Sequence, residues 1–216
     1  FLEKEGVPRV VSTPQHYAYL KIAEGCRKHC SYCIIPAIKG PLKSKTLVQI
    51  QEEMRALLQK GVKEIILSAQ DLGDWGKDLA SSEGLCHLLR ELVKEPGDFR
   101  IRLLYLYPDE ITDELISVIQ ENTKILPYLD IPIQHINDTL LKKMYRATSK
   151  EMILSVIKRL REKIPHITIR TSLIVGFPSE TEEQFQELCT FLQECPLDNV
   201  GVFEYSREEK SASFHF

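Results

Sequence analysis

The sequence has no apolar run approaching the ~20 residues that a membrane-spanning helix needs, so no such span is expected. It has no secretory leader either. Phe1-Leu2-Glu3-Lys4-Glu5 is charged and no apolar core follows it. An initiator methionine is missing, and the chain is expected to be a piece of a longer protein. Excess positive charge is absent: 28 Lys and Arg against 31 Asp and Glu leave a formal net charge of −3, which excludes a global field for nucleic acid. The basic run Arg27, Lys28, His29 is short and reads as a solvated loop. Internal repeats and low-complexity segments are not evident, and 216 residues suit one large domain. With no sign of secretion the expected location is the cytoplasm. There, clustered cysteines bind metal or do redox chemistry more often than they form structural disulfides.

What is present is an alternation of β-rich and helical patterns. Tyr19–Ile22, Glu64–Ser68, Ile101–Tyr105, Tyr128–Ile131, Thr168–Val175 and Asn199–Phe203 read as six strands. Helical faces stand between them. One carries Leu47, Ile50, Met54, Leu57 and Leu58, with Thr46 as N-cap and Gly61 as stop. Another carries Phe185, Leu188, Leu192 and Cys195, behind a capping box of Ser179 with Glu182 or Thr181 with Gln184. Such alternation implies an α/β fold with a parallel sheet and crossover helices. A flat doubly wound sheet and a partial barrel both fit six strands. The expectation adopted is a partial (β/α)6 TIM-like barrel with outer helices.

Unusual residues follow nearly every strand: the cysteine loop, Gln70-Asp71, Tyr107-Pro108, Gln134-His135, Gly176-Phe177-Pro178 and Glu204-Tyr205-Ser206. In parallel α/β folds these loops converge on one mouth. Turn chemistry alone explains the glycines and prolines. It explains Gln134 and His135 less well, although a buried histidine is more often structural than catalytic.

The stretch CRKHCSYC at 26–33 holds three of the six cysteines. A disulfide would strand the third thiol. Structural zinc takes four ligands. His29 is the only local candidate for the fourth, but its adjacency to Cys30 makes joint ligation awkward, and no second CxxC pair exists. Charged flanks argue against buried structural thiols. The remaining reading is a [4Fe–4S] cluster held by Cys26, Cys30 and Cys33 with its fourth iron open, and an open position is where metal chemistry happens. Cys86, Cys189 and Cys195 lie among apolar helix residues and read as core packing.

The motif does not stand alone. KIAEGC at 21–26, CIIPAIKG at 33–40, LYLYPDEITDELI at 104–116, LPYLDIPIQH at 126–135 and RTSLIVGFPSETEEQF at 170–185 accompany it. Together they resemble the radical domain of the radical S-adenosylmethionine methylthiotransferases. LYPDE and LDIPIQH are closer to the branch that modifies a ribosomal protein than to the branch that modifies tRNA. The resemblance covers nearly the whole chain.

It implies that the open iron binds the amino and carboxylate groups of S-adenosylmethionine. The cofactor is split to a 5′-deoxyadenosyl radical, and sulfur is inserted at the β-carbon of an aspartate in a small-subunit ribosomal protein. An electron donor protein is the other implied partner, and nucleic acid contact is not indicated. By motif position Tyr32 lies near the adenine. Gln70, Asp71, Gln134 and Arg170 are candidates for cofactor or substrate contacts, Arg170 through a bidentate fork to a carboxylate. Gly176 is a candidate for close approach of the backbone to the nucleoside.

The sequence departs from the family at Lys39 and Lys45, where arginine is expected, at Ser179, where glycine is usual, and at Lys210, also a glycine elsewhere. Residues 1–18 are read as a linker from a missing N-terminal cluster domain and 19–216 as the radical domain, with the C-terminal TRAM domain absent. The competing readings are a tRNA-modifying methylthiotransferase and a zinc-stabilised binding module without catalysis.

Overall fold

The computed structural model describes residues 10–81 and 83–216. The first nine residues of the expected 1–18 linker therefore lie outside the described residues. Strand β1 (Tyr17–Lys21) begins two residues before the expected domain start. Its Ala18 and Leu20 are fully buried, while Tyr17, Tyr19 and Lys21 take the other face, the period-two pattern of a strand. A short antiparallel pair follows, β2 (Ala23–Glu24) with β3 (Lys43–Ser44), and its connection contains the helix α1 (Ile35–Lys39). None of these three elements was expected. They are short, and Pro36 in the first turn of α1 is the only local signal.

The remaining elements follow the expected alternation. They are α2 (Leu47–Gln59), β4 (Glu64–Ser68), α3 (Leu85–Leu92), β5 (Arg100–Leu103) and α4 (Asp113–Glu121). Then come β6 (Ile125–Asp130), α5 (Asp138–Lys143), α6 (Lys150–Lys163), β7 (Thr168–Val175), α7 (Glu182–Glu194) and β8 (Asn199–Glu204). Thr46 caps α2 in a full capping box with Gln49. Of the two boxes possible for α7, Thr181 with Gln184 forms. Ser179 instead sits at φ 69°, the left-handed region that suits the glycine usual there. The third strand stops earlier than expected, because Tyr105 turns out of it at φ 61°.

The sheet order is β1-β4-β5-β6-β7-β8, parallel throughout. Spatial order follows chain order without reversal. Right-handed crossovers then place every helix on the same side, and the sheet curls. A doubly wound sheet needs a reversal to cover both faces. The fold is therefore the expected partial barrel, open between β1 and β8, two strands short of the eight that close a TIM barrel.

The helix side is the core. Leu20, Ile65, Leu67, Ile101, Leu103, Leu129 and Ile169 pack with Ile50, Met54, Leu88, Leu115 and Ile157. Each such side chain contributes about 1.5–3 kcal/mol by leaving water. The inner face is more polar. Lys21 lies beside Ser68, Ile66 beside Arg102, and Asp130 beside Arg170. No helix among the described residues is long and apolar enough to cross a membrane.

Candidate active site

The cysteine loop leaves β2 at Gly25, whose φ is 78°. A Cβ there would stand 2.1 Å from the Pro41 carbonyl oxygen and 2.7 Å from that of Gly40. Only glycine allows the chain ends of this loop to approach so closely. The Cys26 N–H closes the turn on Gly40 O at 3.3 Å. Ser31, fully buried, pins the middle of the loop. Its N–H donates to Met144 O (3.0 Å), its hydroxyl to Lys143 O (2.8 Å), and its carbonyl accepts from the Ser213 N–H (2.8 Å).

The sulfurs are held by polar neighbours. The Lys28 N–H donates to Cys26 Sγ and the Ile35 N–H to Cys33 Sγ, both at 3.4 Å. Cys30 is 6% exposed, with its Sγ 3.2 Å from the Tyr107 hydroxyl. Burial raises the thiols of Cys26 and Cys33 above the usual cysteine range. The two N–H groups partly offset this, and Asp71 adds to it at Cys26. Metal loading at this loop must therefore release protons and weaken in acid.

All six cysteines are free, which removes the disulfide reading. Among the described residues the side chains that already converge as a metal-sized group are Asp71, Asp74 and Glu110, not the three cysteines. Four thiolates on one tetrahedral zinc stand only about 4 Å apart, as Zn–S bonds of about 2.3 Å require. Three sulfurs on one pinned loop fit ligands to different irons of a cube. Cys86 and Cys195 pack against the core as expected, and burial lifts the Cys86 thiol to about 11. Cys189 is half-buried in α7.

Lys28 corrects the solvated-loop reading of the basic run. Arg27 and His29 are exposed. Lys28 turns inward, with Nζ 2.9 Å from Glu110 Oε1, 3.4 Å from Asp109 Oδ2 and 3.7 Å from Asp71 Oδ2, and it stands over the Tyr107 ring. Burial works against its charge, but the three carboxylates outweigh it and hold its pKa above the usual lysine range. Lys77 bridges Asp74 (2.7 Å) and Glu110 (3.0 Å) beside it.

Gln70 and Asp71 border this network. Gln70 Oε1 and Asp71 Oδ2 are buried without a hydrogen-bond partner among the described residues. Burial, and then the charge of Asp74, push the Asp71 carboxyl up to about 7. The folded chain thus keeps a proton that the unfolded chain releases near pH ~4. Between those values the native state binds more protons, so this group makes stability fall as pH rises. In Asp71→Asn the advantage over the parent is expected to grow from pH 5 to pH 8 in thermal melts of the metal-free chain. A flat difference would contradict the assignment.

Gln134 stands at φ 69° and bridges to β7, its N–H on Ser172 O (2.9 Å) and its carbonyl accepting from Ile174 (2.8 Å). His135 is fully buried and structural. Its Nδ1 accepts from the Asn137 N–H (3.0 Å), which assigns the proton to Nε2, 3.1 Å from Glu180 Oε1. Desolvation depresses its pKa, and Glu180 opposes that.

Glu180 also accepts from the backbone N–H groups of Gly176 and Phe177. It holds the turn after β7 in shape. Glu180→Ala is expected to lose about 1–3 kcal/mol in urea denaturation, because the buried His135 Nε2–H is left without its acceptor.

Gly176, at φ 73°, has nothing within 4 Å of its would-be Cβ, so its backbone is open to a ligand. Tyr32 packs against Phe177, Leu140 and Met144 beside that turn. Arg170 is half-buried. Its Nη1 donates to the buried Asp130 at 2.8 Å on the inner face. Two of the departures from the family pattern make ion pairs, Lys39 with Glu24 (2.8 Å) and Lys45 with Glu53 (2.6 Å).

Sequence reasoning did not select Lys28, Arg146, Asp74 or Glu110, and named Tyr107 only as a loop residue. Arg146 is 7% exposed, stacks 4.1 Å from the Tyr107 ring centroid, and donates from Nη2 to Pro132 O at 2.5 Å. Nothing local in Tyr145-Arg146-Ala147 signals that burial.

The Radical SAM superfamily model matches residues 20–192, and the chain belongs to that superfamily. Within it, the similarity runs to enzymes named for one ribosomal protein. The chain is 60% identical over 98% of its length to ribosomal protein uS12 methylthiotransferase RimO of Chlamydia abortus, covering 46% of that protein. Against the RimO of Caldanaerobacter subterraneus it is 50% identical over 99% of its length, covering 49%. It thus spans about half the length of the curated relatives it matches.

Among solved structures, the radical S-adenosylmethionine methyltransferase TsrM of Kitasatospora setae aligns over 90% of this chain and 38% of its own. The TM-score is 0.74 at 18% identity. Coproporphyrinogen III oxidase of Escherichia coli aligns over 91% of this chain and 46% of its own, with a TM-score of 0.64 at 20% identity. These two carry the fold alone.

Proposed function

We propose that this chain is the radical domain of a methylthiotransferase acting on ribosomal protein uS12. Cys26, Cys30 and Cys33 would hold a [4Fe–4S] cluster and leave one iron open to S-adenosylmethionine. The observation that carries the reading is the cysteine loop itself: three free thiols on one pinned loop at the mouth of a partial barrel. The names of the relatives support the ribosomal protein as substrate and do not favour the tRNA reading. When bound, the cluster and S-adenosylmethionine supply one-electron chemistry that takes hydrogen from a carbon with no acidic proton, which acid–base side chains serve poorly.

The chain's own residues bind and orient. Tyr32 and the Gly176-Phe177 turn offer an apolar flank and an open backbone to the adenosyl group. Arg170 keeps part of its fork beyond Asp130 for a carboxylate. Gln70, Asp71 and Gln134 present polar atoms at the same mouth. The aspartate of the substrate would enter from that side. A low-potential protein donor supplies the electron, and the cytoplasm is the setting.

The radical domain starts at β1, which moves its expected boundary from residue 19 to Tyr17. The test is anaerobic reconstitution, reduction and addition of S-adenosylmethionine, with 5′-deoxyadenosine measured by chromatography. The proposal predicts cleavage that is lost without iron. Brownless, zinc-loaded chain with no cleavage would contradict it. Binding of reconstituted chain to uS12 against bulk tRNA separates the two substrate branches.

A further inference from the structure

Arg146 is the least explained buried charge in the described residues. It follows α5 and is almost fully buried. Nη2 donates to the Pro132 carbonyl, Nε and Nη1 are buried and make no well-aligned hydrogen bond, and the Cys30 sulfur is the acceptor beside them. A buried guanidinium with unmet donors is costly unless something anionic completes it. Its surroundings say where that anion belongs. Its guanidinium lies over the Tyr107 ring, and Tyr32 and Cys30 flank it. The Tyr107 hydroxyl reaches Cys30 Sγ at 3.2 Å. Arginine, aromatic ring and hydroxyl thus converge on one cysteine of the three.

We infer that Arg146 and Tyr107 form an electrostatic seat for the cluster at Cys30 and set its reduction potential. The inference rests on the proposed function, since it needs the cluster. Three thiolate ligands make the ligated group an anion, and reduction by one electron makes it more negative by one charge. A fixed cation and a hydrogen bond to sulfur stabilise the reduced form more than the oxidised one. The electron comes from an external low-potential one-electron donor, and no proton or bond change is required. Arg146 and Tyr107 are positioning residues here, not reacting ones.

The experiment is an electron paramagnetic resonance redox titration of reconstituted chain, without S-adenosylmethionine, using titanium(III) citrate as reductant. Arg146→Met is expected to shift the midpoint to more negative potential with iron content unchanged, and Arg146→Lys to shift it less. Tyr107→Phe removes one hydroxyl and leaves the ring under Arg146, so it decides the matter if Arg146→Met does not fold. It too is expected to fall. Loaded variants with the parent's midpoint overturn the inference. So do variants that keep the midpoint and only bind S-adenosylmethionine more weakly. A parent chain that takes up no cluster sinks the proposed function instead, and the two failures are thereby distinct.

Discussion

Cys30→Ala is expected to abolish cluster loading and, with it, cleavage of S-adenosylmethionine. Cys30 is the most buried of the three cysteines, central in the pinned loop, and touches Tyr107. Two thiolates cannot hold a cube that needs three protein ligands, so bound iron should fall about tenfold or more after reconstitution. The metal-free fold should barely notice. The small side chain meets Tyr107, Tyr32 and Arg146 only through its sulfur, and stability is expected to stay within about 1 kcal/mol of the parent by urea denaturation. Cys86→Ala is the control, because that cysteine packs against the core away from the loop. It should keep both iron and cleavage. Equal loss of iron from both variants would break the assignment of roles among the cysteines.

Gly25→Ala carries the second largest effect, and it acts through backbone alone. At φ 78° alanine is strained by about 1 kcal/mol. The larger cost is the collision of its Cβ with the Pro41 carbonyl oxygen at 2.1 Å, an atom of the backbone that no rotamer change can clear. The loop must open at the residue before Cys26, releasing the Cys26 N–H from Gly40 O. We expect a loss of about 2–4 kcal/mol and a sharp fall in iron content. Gly40→Ala is the comparison. Gly40 has nearly the same φ, 76°, but nothing within 4 Å of its would-be Cβ. It should cost about 1–3 kcal/mol, because φ 76° with ψ −165° is a backbone region that glycine alone enters readily, and retain the cluster. A similar fall in iron content for the two would show that the close approach at Pro41 is not what shapes the loop.

Much of this was legible before any coordinates. The six strands and the helical faces came from periodicity, because half of each element is buried in a core and the burial repeats along the chain. Thr168–Val175 matched to the residue. Thr46 and Thr181 were readable as caps because a capping box is local chemistry. The elements that escaped were β2, β3 and α1, two to five residues long, too short to show a period and stabilised by their place around the cysteine loop.

The site divided in the same way. The three cysteines stood out through spacing within one segment. Lys28 was misread because its partners Asp71, Asp109 and Glu110 lie far off in sequence. Arg146 escaped for the same reason: Tyr107 and Cys30, which define its environment, meet it only after β5, β6 and α5 have assembled. Arg170 was placed correctly on a strand, but its pairing with Asp130 depends on the β6–β7 register.

The central claim is that Cys26, Cys30 and Cys33 hold a cluster with one iron free for S-adenosylmethionine. The most direct measurement is low-temperature electron paramagnetic resonance of the anaerobically reconstituted, dithionite-reduced chain, recorded with and without that cofactor. The account predicts a [4Fe–4S]⁺ signal whose shape changes when S-adenosylmethionine is added. Stoichiometric zinc with no cluster signal after reconstitution, or a cluster signal indifferent to the cofactor, would contradict it.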